Sequence, residues 1–158
     1  MTSEAKIITG IGIFTVLIII VGLFFAANSK PEVPKVAIQK EALVRENNPR
    51  IANQNAKVQI VEFADFECPA CAVFAPVMRQ IFADYADKID FTFRVIPIHS
   101  HSREAAFAAY AAHEQGKFLD MYEKLFENQE KWSVESANRP QLFAQYATEI
   151  GLNIEQFK

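Results

Sequence analysis

The only two cysteines of the chain, Cys68 and Cys71, stand three residues apart, where a strand pattern gives way to a helix pattern. Residues three apart lie on one face of a helix, so the two thiols can close a small disulfide ring. At the first turn of a helix the backbone N–H groups are unpaired and the helix dipole is positive, and both effects favour a thiolate on Cys68. The spacing therefore predicts a thiol–disulfide redox site.

The cysteine pair has two alternative interpretations. The same spacing is half of a four-ligand zinc site, but the further ligands would have to be histidines, and none stands at a zinc-site spacing. The histidines are His99, His101 and His113. Two cysteines that merely pack are common in cores, yet packing alone does not explain a Cys-Pro-x-Cys sequence at a strand-to-helix junction. The pattern favours redox chemistry and predicts neither a metal nor a cofactor.

The segments around the cysteines predict an α/β fold. Residues 58–64 are β-rich and nearly continuously apolar, as in a strand covered on both faces. Apolar residues at helical spacing follow the cysteines, and a second β-rich run covers residues 89–96. This β-α-β order predicts a parallel pair of strands with a right-handed crossover.

From Ser102 onward the pattern is helical only. An alanine-rich helix is predicted to start at Ser102, and a second helix is predicted over residues 118–126. A third runs from about Pro140 to Gly151, which is expected to end it. Asn153 has the character of a cap for one more helix.

The N-terminal part predicts membrane attachment. Residues 7–29 carry no charge and are long enough to cross a bilayer core of about 30 Å at about 1.5 Å per residue. A secretory signal peptide is the alternative, but its apolar region usually covers only about 7–15 residues. The predicted organisation is a tail over 1–6, a transmembrane anchor over 7–29, a proline-containing linker over 30–50 and one domain over 51–158.

The compartment is inferred from the redox chemistry. Lys30, Lys35 and Lys40 follow the apolar run, so the positive-inside rule on its own leans against export. A thiol–disulfide domain on a membrane stalk nevertheless suits an oxidising compartment. We therefore expect a single-pass protein of the cell membrane with its domain on the extracytoplasmic side. The net charge of -3 and the lack of a basic patch argue against nucleic acid as a partner.

Glu62 is a carboxylate within the apolar strand, six positions before Cys68. Burying an ionised carboxylate is costly, so its pKa is expected to be raised. A group in this place could take the proton of Cys71 as that thiol attacks a mixed disulfide. The alternative is a glutamate on the solvent face of an edge strand, because one strand does not show which of its faces is covered.

Residues 61–76 resemble the active-site segment of the DsbA-like branch of the thioredoxin superfamily. The matching features are a strand with a glutamate, the Cys-Pro-x-Cys sequence, a phenylalanine three residues later and a proline two further on. Residues 93–98 resemble the second strand of that family, and residues 114–118 and 125–132 resemble its inserted helical region.

The resemblance implies a thioredoxin-like fold with an inserted helical subdomain that caps the site. It also implies that Cys68 is the exposed nucleophile, Cys71 the resolving thiol and Glu62 the buried acid. The dipeptide between the cysteines, Pro69 and Ala70, tunes the redox potential in this family. Members with histidine in the second place use it to stabilise the thiolate, and because Ala70 cannot do so we expect a weaker oxidant.

The predicted function is that of a protein disulfide oxidoreductase. It exchanges disulfides with exported proteins through Cys68 and Cys71, in the direction of dithiol oxidation, and needs a redox partner that recycles the pair. The alternative is a non-catalytic thioredoxin-like module that binds a metal or another protein.

The resemblance is incomplete at the C-terminal end. Members of the superfamily complete their sheet with an antiparallel hairpin and a last helix, and a cis-proline before the hairpin faces the cysteines. No proline of this chain follows the inserted helices in a strand context. We therefore expect an incomplete, C-terminally truncated fold in which an apolar edge of a two-stranded sheet is exposed.

Overall fold

The computed structural model describes residues 3–28 and 40–157. The chain divides into two units between residues 37 and 38. The first contains helix α1, Ser3–Asn28, whose side chains are described from residue 12 to residue 24. In the described parts of the chain, no helix offers an apolar stretch of the length that a membrane crossing requires. The transmembrane segment predicted over residues 7–29 is therefore not confirmed.

The second unit is an α/β domain. Its described strands are β1 Arg50–Ile51, β2 Val58–Ala64 and β3 Ile89–Val95. Its described helices are α2 Lys40–Leu43, α3 Pro69–Tyr85, α4 Ser102–Glu114, α5 Phe118–Glu127, α6 Gln129–Trp132, α7 Arg139–Glu149 and α8 Ile154–Phe157.

The sheet has the strand order β1-β3-β2. Strands β2 and β3 are parallel, which confirms the prediction for the β-α-β unit. The expectation that β2 is covered on both faces is wrong, because Val58 and Phe63 are 55% and 48% exposed. The strand that is buried along most of its length is β3, since it lies between the other two.

Strand β1 was not predicted, and the expected two-stranded sheet has three strands among the described residues. Two residues are too few to show an alternating pattern, so long-range contacts place β1 instead. Arg50 forms an ion pair with Asp90, and the carbonyl of Pro49 accepts a hydrogen bond from the backbone of Phe93 at 2.9 Å. The last residues of the predicted linker therefore contact the domain, and the domain boundaries remain a prediction.

The helices confirm the predicted order of segments after β3. Helix α4 begins at Ser102, and the first turn of α7 contains Pro140. Gly151 follows α7 with a φ of 77°, a conformation that glycine adopts without the cost a side chain would add. Helix α6, which directly follows α5, was not predicted and proves important for the site.

The core joins the sheet to the inserted helices through aromatic rings. Phe66, which follows β2, packs against Phe93 of β3 with ring centroids 5.0 Å apart. Tyr122 of α5 contacts Phe93 at 5.6 Å and Phe126 at 4.8 Å. These rings are all at least nine-tenths buried. They hold α5 against the sheet, which brings Tyr122 beneath the strand that leads to the cysteines.

Candidate active site

Helix α3 begins at the cysteine pair, as the sequence predicts. Cys68 is its N-cap, with extended backbone angles, and its carbonyl accepts the hydrogen bond of the Ala72 amide at 3.1 Å. Pro69 occupies the first turn, where its missing N–H costs nothing. The Cys68 amide donates to the carbonyl of Asp65 at 3.1 Å. The nucleophile candidate is thus fixed at the positive end of a helix.

The two thiols are free, half-buried and electrostatically unequal. The backbone N–H of Cys71 is the main cause of a lowered pKa of Cys68, and the thiol of Cys71 and the N–H of Ala70 add to it. Burial is the main cause of a raised pKa of Cys71, and the negative charges of Cys68 and Glu62 raise it further. At any pH between the two values, Cys68 carries the charge and Cys71 keeps its proton.

Glu62 lies on β2 and is half-buried. Its Oε1 accepts a hydrogen bond from the hydroxyl of Tyr122 at 3.1 Å, whereas its Oε2 is buried and has no hydrogen-bond partner among the described residues. Burial raises the pKa of Glu62 to about 7, although the Tyr122 bond opposes the shift. This outcome agrees with the expected raised pKa and disagrees with a glutamate on the solvent face. The charge of Glu62 is one of the causes of the raised pKa of Cys71.

Asp65 was not singled out from the sequence, yet it organises the loop before Cys68. Its side chain is 3% exposed. One oxygen accepts from the amides of Ile98 and His99 at 3.0 and 3.2 Å, from the Ser102 hydroxyl at 2.7 Å and from Nδ1 of His99 at 2.8 Å. The other oxygen accepts from the Glu67 amide at 2.9 Å. Burial alone would raise the pKa of Asp65, but these donors together lower it.

The histidines considered as zinc ligands lie against other groups. His99 is held by Asp65, and Nε2 of His101 lies 3.2 Å from a carboxylate oxygen of Glu135. His113 packs edge-on against Phe118, with the ring centroids 6.3 Å apart. No cluster of three possible metal ligands occurs within residues 3–28 and 40–157 as described.

Gln129 is a second functional candidate that sequence reasoning missed. It stands at the start of α6, is 8% exposed, and its Nε2 donates to the carbonyls of Phe66 and Cys68 at 2.7 and 3.0 Å. The side chain thus ties the inserted helices to the backbone of the nucleophile. No local pattern indicates this contact, because the residues that Gln129 bonds are 61 and 63 positions away along the chain.

A groove of about 490 Å³ runs beside the pair, between α3 and the turn from α5 to α6. On the α3 side it is lined by Pro69, Ala72 and Val73, and Val73 is 80% exposed. On the other side are Phe126 and the polar residues 127–131. The groove therefore offers apolar surface beside the first turns of α3, where the cysteine pair lies.

Known proteins resemble this chain over the region of the site. A family model described as Thioredoxin matches residues 45–158. Disulfide bond formation protein D of Bacillus subtilis (strain 168) is 33% identical over an alignment of 108 residues, which covers 65% of this chain and 48% of that protein. Na(+)/H(+) antiporter NhaA 3 of Salinispora tropica is 34% identical over 108 residues, covering 66% of this chain and 16% of that protein.

A solved structure shares the fold. The crystal structure of oxidised BdbD from Bacillus subtilis aligns with a TM-score of 0.60 and 30% identity, covering 70% of this chain and 63% of that one. The chain thus spans about half the length of the Bacillus protein and about one sixth of the antiporter. The family match includes the strand with Glu62, the cysteine pair and the inserted helices. The chain therefore belongs to the thioredoxin family.

Proposed function

We propose that this chain catalyses thiol–disulfide exchange with exported proteins on the extracytoplasmic side of the membrane, through Cys68 and Cys71. The observation that carries the proposal is the electrostatic inequality of the two thiols. Helix N–H groups lower the pKa of Cys68, while burial raises the pKa of Cys71. The similarity to a disulfide bond formation protein supports the assignment.

In the direction of dithiol oxidation, a substrate thiolate attacks Sγ of Cys68 in the Cys68–Cys71 disulfide. A bond forms between the substrate sulfur and Cys68, and the broken disulfide releases Cys71 as a thiolate. A second substrate thiolate then attacks the substrate sulfur of this mixed disulfide and releases Cys68 as a thiolate. The substrate is oxidised by two electrons, and a redox partner that accepts two electrons restores the pair.

Glu62 supplies the proton that the first step requires. The released Cys71 thiolate takes a proton from the neutral carboxyl group, because the pKa of Cys71 is raised and that of Glu62 is about 7. In the reverse step, the Glu62 carboxylate takes the proton from Cys71 as its sulfur attacks Cys68. A pKa near neutrality keeps both forms of Glu62 populated at working pH.

The dipeptide between the cysteines sets the strength of the oxidant. Ala70 contributes a backbone N–H to the Cys68 thiolate but has no side-chain donor. We therefore expect a milder oxidant than DsbA-like proteins with histidine in this place. Equilibration of the purified chain with a glutathione redox buffer measures the potential, and a value equal to that of strongly oxidising members would contradict the expectation.

A trapping experiment tests the exchange reaction. The reduced chain is mixed with a peptide that carries one disulfide, and reduction of the peptide is followed at neutral pH. Cys68→Ser should abolish the reaction, whereas Cys71→Ser should accumulate a stable mixed disulfide through Cys68. Exchange activity that remains in Cys68→Ser would contradict the proposal. Stoichiometric metal in the purified chain together with no exchange would favour a binding module instead.

The redox chemistry supports an extracytoplasmic location, and the uncharged run over residues 7–29 supports a membrane anchor. A thiol reagent that does not cross membranes should label the reduced pair in intact cells if the domain is extracytoplasmic. Resistance of the chain to alkaline extraction from membranes would support an anchor over residues 7–29. Labelling only after cell lysis would contradict the proposed location.

A further inference from the structure

We propose that Tyr122 is a positioning residue that holds one oxygen of Glu62 and keeps this carboxyl group able to exchange a proton near neutral pH. The inference rests on the proposed function, in which Glu62 exchanges a proton with Cys71. Tyr122 comes from α5, in the inserted helices, while Glu62 comes from β2.

The two carboxylate oxygens of Glu62 have different surroundings. The hydroxyl of Tyr122 donates to Oε1 at 3.1 Å. Oε2 is buried and, among the described residues, accepts no hydrogen bond. An unpartnered buried oxygen is costly in a structural role, but it is what a proton acceptor needs. The Tyr122 bond therefore fixes the carboxyl group while leaving one oxygen free to react.

The donor itself cannot move away. Tyr122 is 1% exposed, and its ring lies within 4.8 to 6.5 Å, centroid to centroid, of five phenylalanine rings. These are Phe66, Phe82, Phe93, Phe118 and Phe126. Because the ring is surrounded on several sides, the hydroxyl stays directed at Oε1. The side chain therefore does not have to be ordered when the reaction takes place.

Tyr122 acts as a donor and does not carry the proton. Burial, followed by the charge and hydrogen bond of Glu62, raises the pKa of Tyr122 far above working pH, and the charges of Cys71 and Glu123 add to this. The pKa of Glu62 reflects burial, which raises it, and the Tyr122 bond, which opposes burial. Without that bond, the pKa of Glu62 would be higher, so that less carboxylate would be present at neutral pH to accept the proton of Cys71.

The matched substitutions Tyr122→Phe and Tyr146→Phe test the inference. Tyr146 is 3% exposed, and its hydroxyl is buried without a partner in the part of the chain that is described. Both changes remove one buried hydroxyl, but only the first removes a donor from Glu62. Carbon-13 NMR of labelled glutamate carboxyls in the reduced full chain measures the pKa of Glu62, with Glu62→Gln identifying the signal.

Tyr122→Phe should raise the pKa of Glu62 by about one unit, as expected for loss of a hydrogen bond to a charged acceptor. Tyr146→Phe should leave it unchanged. An unchanged pKa of Glu62 in Tyr122→Phe overturns the inference, whatever happens to activity. If Tyr122→Phe does not fold, 3-fluorotyrosine at position 122 is the second variant; its more acidic hydroxyl should lower the pKa of Glu62, and no change would again overturn the inference.

A kinetic readout separates this inference from the proposed function. The rate at which Cys71 resolves a mixed disulfide between Cys68 and glutathione is followed against pH. In Tyr122→Phe, the acidic limb of the profile should move to higher pH by the same amount as the pKa of Glu62 rises. A shifted pKa with an unmoved profile supports Tyr122 as the partner of Glu62 and rejects Glu62 as the proton acceptor.

Discussion

Two carboxylates three residues apart, Glu62 on β2 and Asp65 directly after it, have pKa values shifted in opposite directions. Asp65 accepts five hydrogen bonds, which outweigh its burial and lower its pKa. Among the described residues, Glu62 accepts one hydrogen bond, so burial dominates and raises its pKa to about 7. The number of donors, more than the depth of burial, decides whether a carboxylate here is a permanent anion or a proton exchanger.

Removal of the Asp65 carboxylate should have the largest effect on stability. Asp65→Ala leaves several buried donors unpaired, so the free energy of unfolding should fall by about 4 kcal/mol. Because the folded-state pKa of Asp65 is lowered, its stabilising effect is present above the unfolded value and is lost as the pH falls toward the folded value. Urea unfolding at pH 7 and pH 3 measures both effects.

Asp87→Ala is the control, since Asp87 is exposed. It should change the unfolding free energy by less than about 0.5 kcal/mol. If Asp65→Ala were as mild as the control, Asp65 would not organise the loop.

Glu62→Gln tests the opposite pH dependence. The folded-state pKa of Glu62 is raised from 4.5 to about 7, so its protonation stabilises the fold fully below 4.5, and this contribution declines as the pH rises to 7. Over this pH window, the free energy of unfolding of the wild-type chain should fall by about 3 kcal/mol. The Glu62→Gln variant should not show this loss. Urea midpoints at pH 5 and pH 8 measure the difference, and parallel losses in both proteins would contradict it.

Gln129→Met tests whether the pKa of Cys68 depends on the inserted helices as well as on α3. The substitution keeps the side-chain length but removes the donor to the carbonyls of Phe66 and Cys68. We expect about 1 to 2 kcal/mol of destabilisation and a rise in the pKa of Cys68, because the backbone at the helix N-terminus is held less firmly. Thiolate absorbance at 240 nm against pH gives the pKa.

The control for this change is Gln115→Met. Gln115 also bonds backbone atoms, donating to the Asn153 carbonyl at 3.2 Å, but that partner directly precedes α8. Its replacement should leave the pKa of Cys68 unaltered. A rise of equal size in both variants would mean that Gln129 has no special hold on the nucleophile.

Ala70→His tests how a positive charge beside Cys68 affects its pKa. A protonated histidine beside the Cys68 thiolate should lower the pKa of Cys68 further, by about half to one unit, and make the disulfide more oxidising. The matched control is Ala70→Phe, which adds a ring of similar shape without the charge. Equal pKa values of Cys68 in the two variants would contradict the electrostatic explanation.

Local patterns predicted the parts of the site that depend on neighbours in sequence. The spacing of Cys68 and Cys71 predicted the start of α3, and a lone carboxylate in an apolar run predicted the raised pKa of Glu62. Strand β1 was missed because two residues carry no period.

The missed site residues depend on contacts far along the chain. An aspartate after a strand is ordinary in a turn, so Asp65 gave no signal that donors from residues 98–102 would converge on it. Tyr122 belongs to an apolar helical stripe, where its ring predicts packing, and the partner of its hydroxyl lies 60 positions away. Such pairings are set by how the helices pack on the sheet.

The hydrogen bonds of Gln129 have a mechanical consequence. One amide nitrogen holds two carbonyls of the segment that carries Cys68, so α6 cannot shift without breaking both bonds or moving that backbone with it. The inserted helices are therefore not an independent lid over the cysteines. A displacement of α6 is therefore passed to the backbone of Cys68 through the side chain of Gln129.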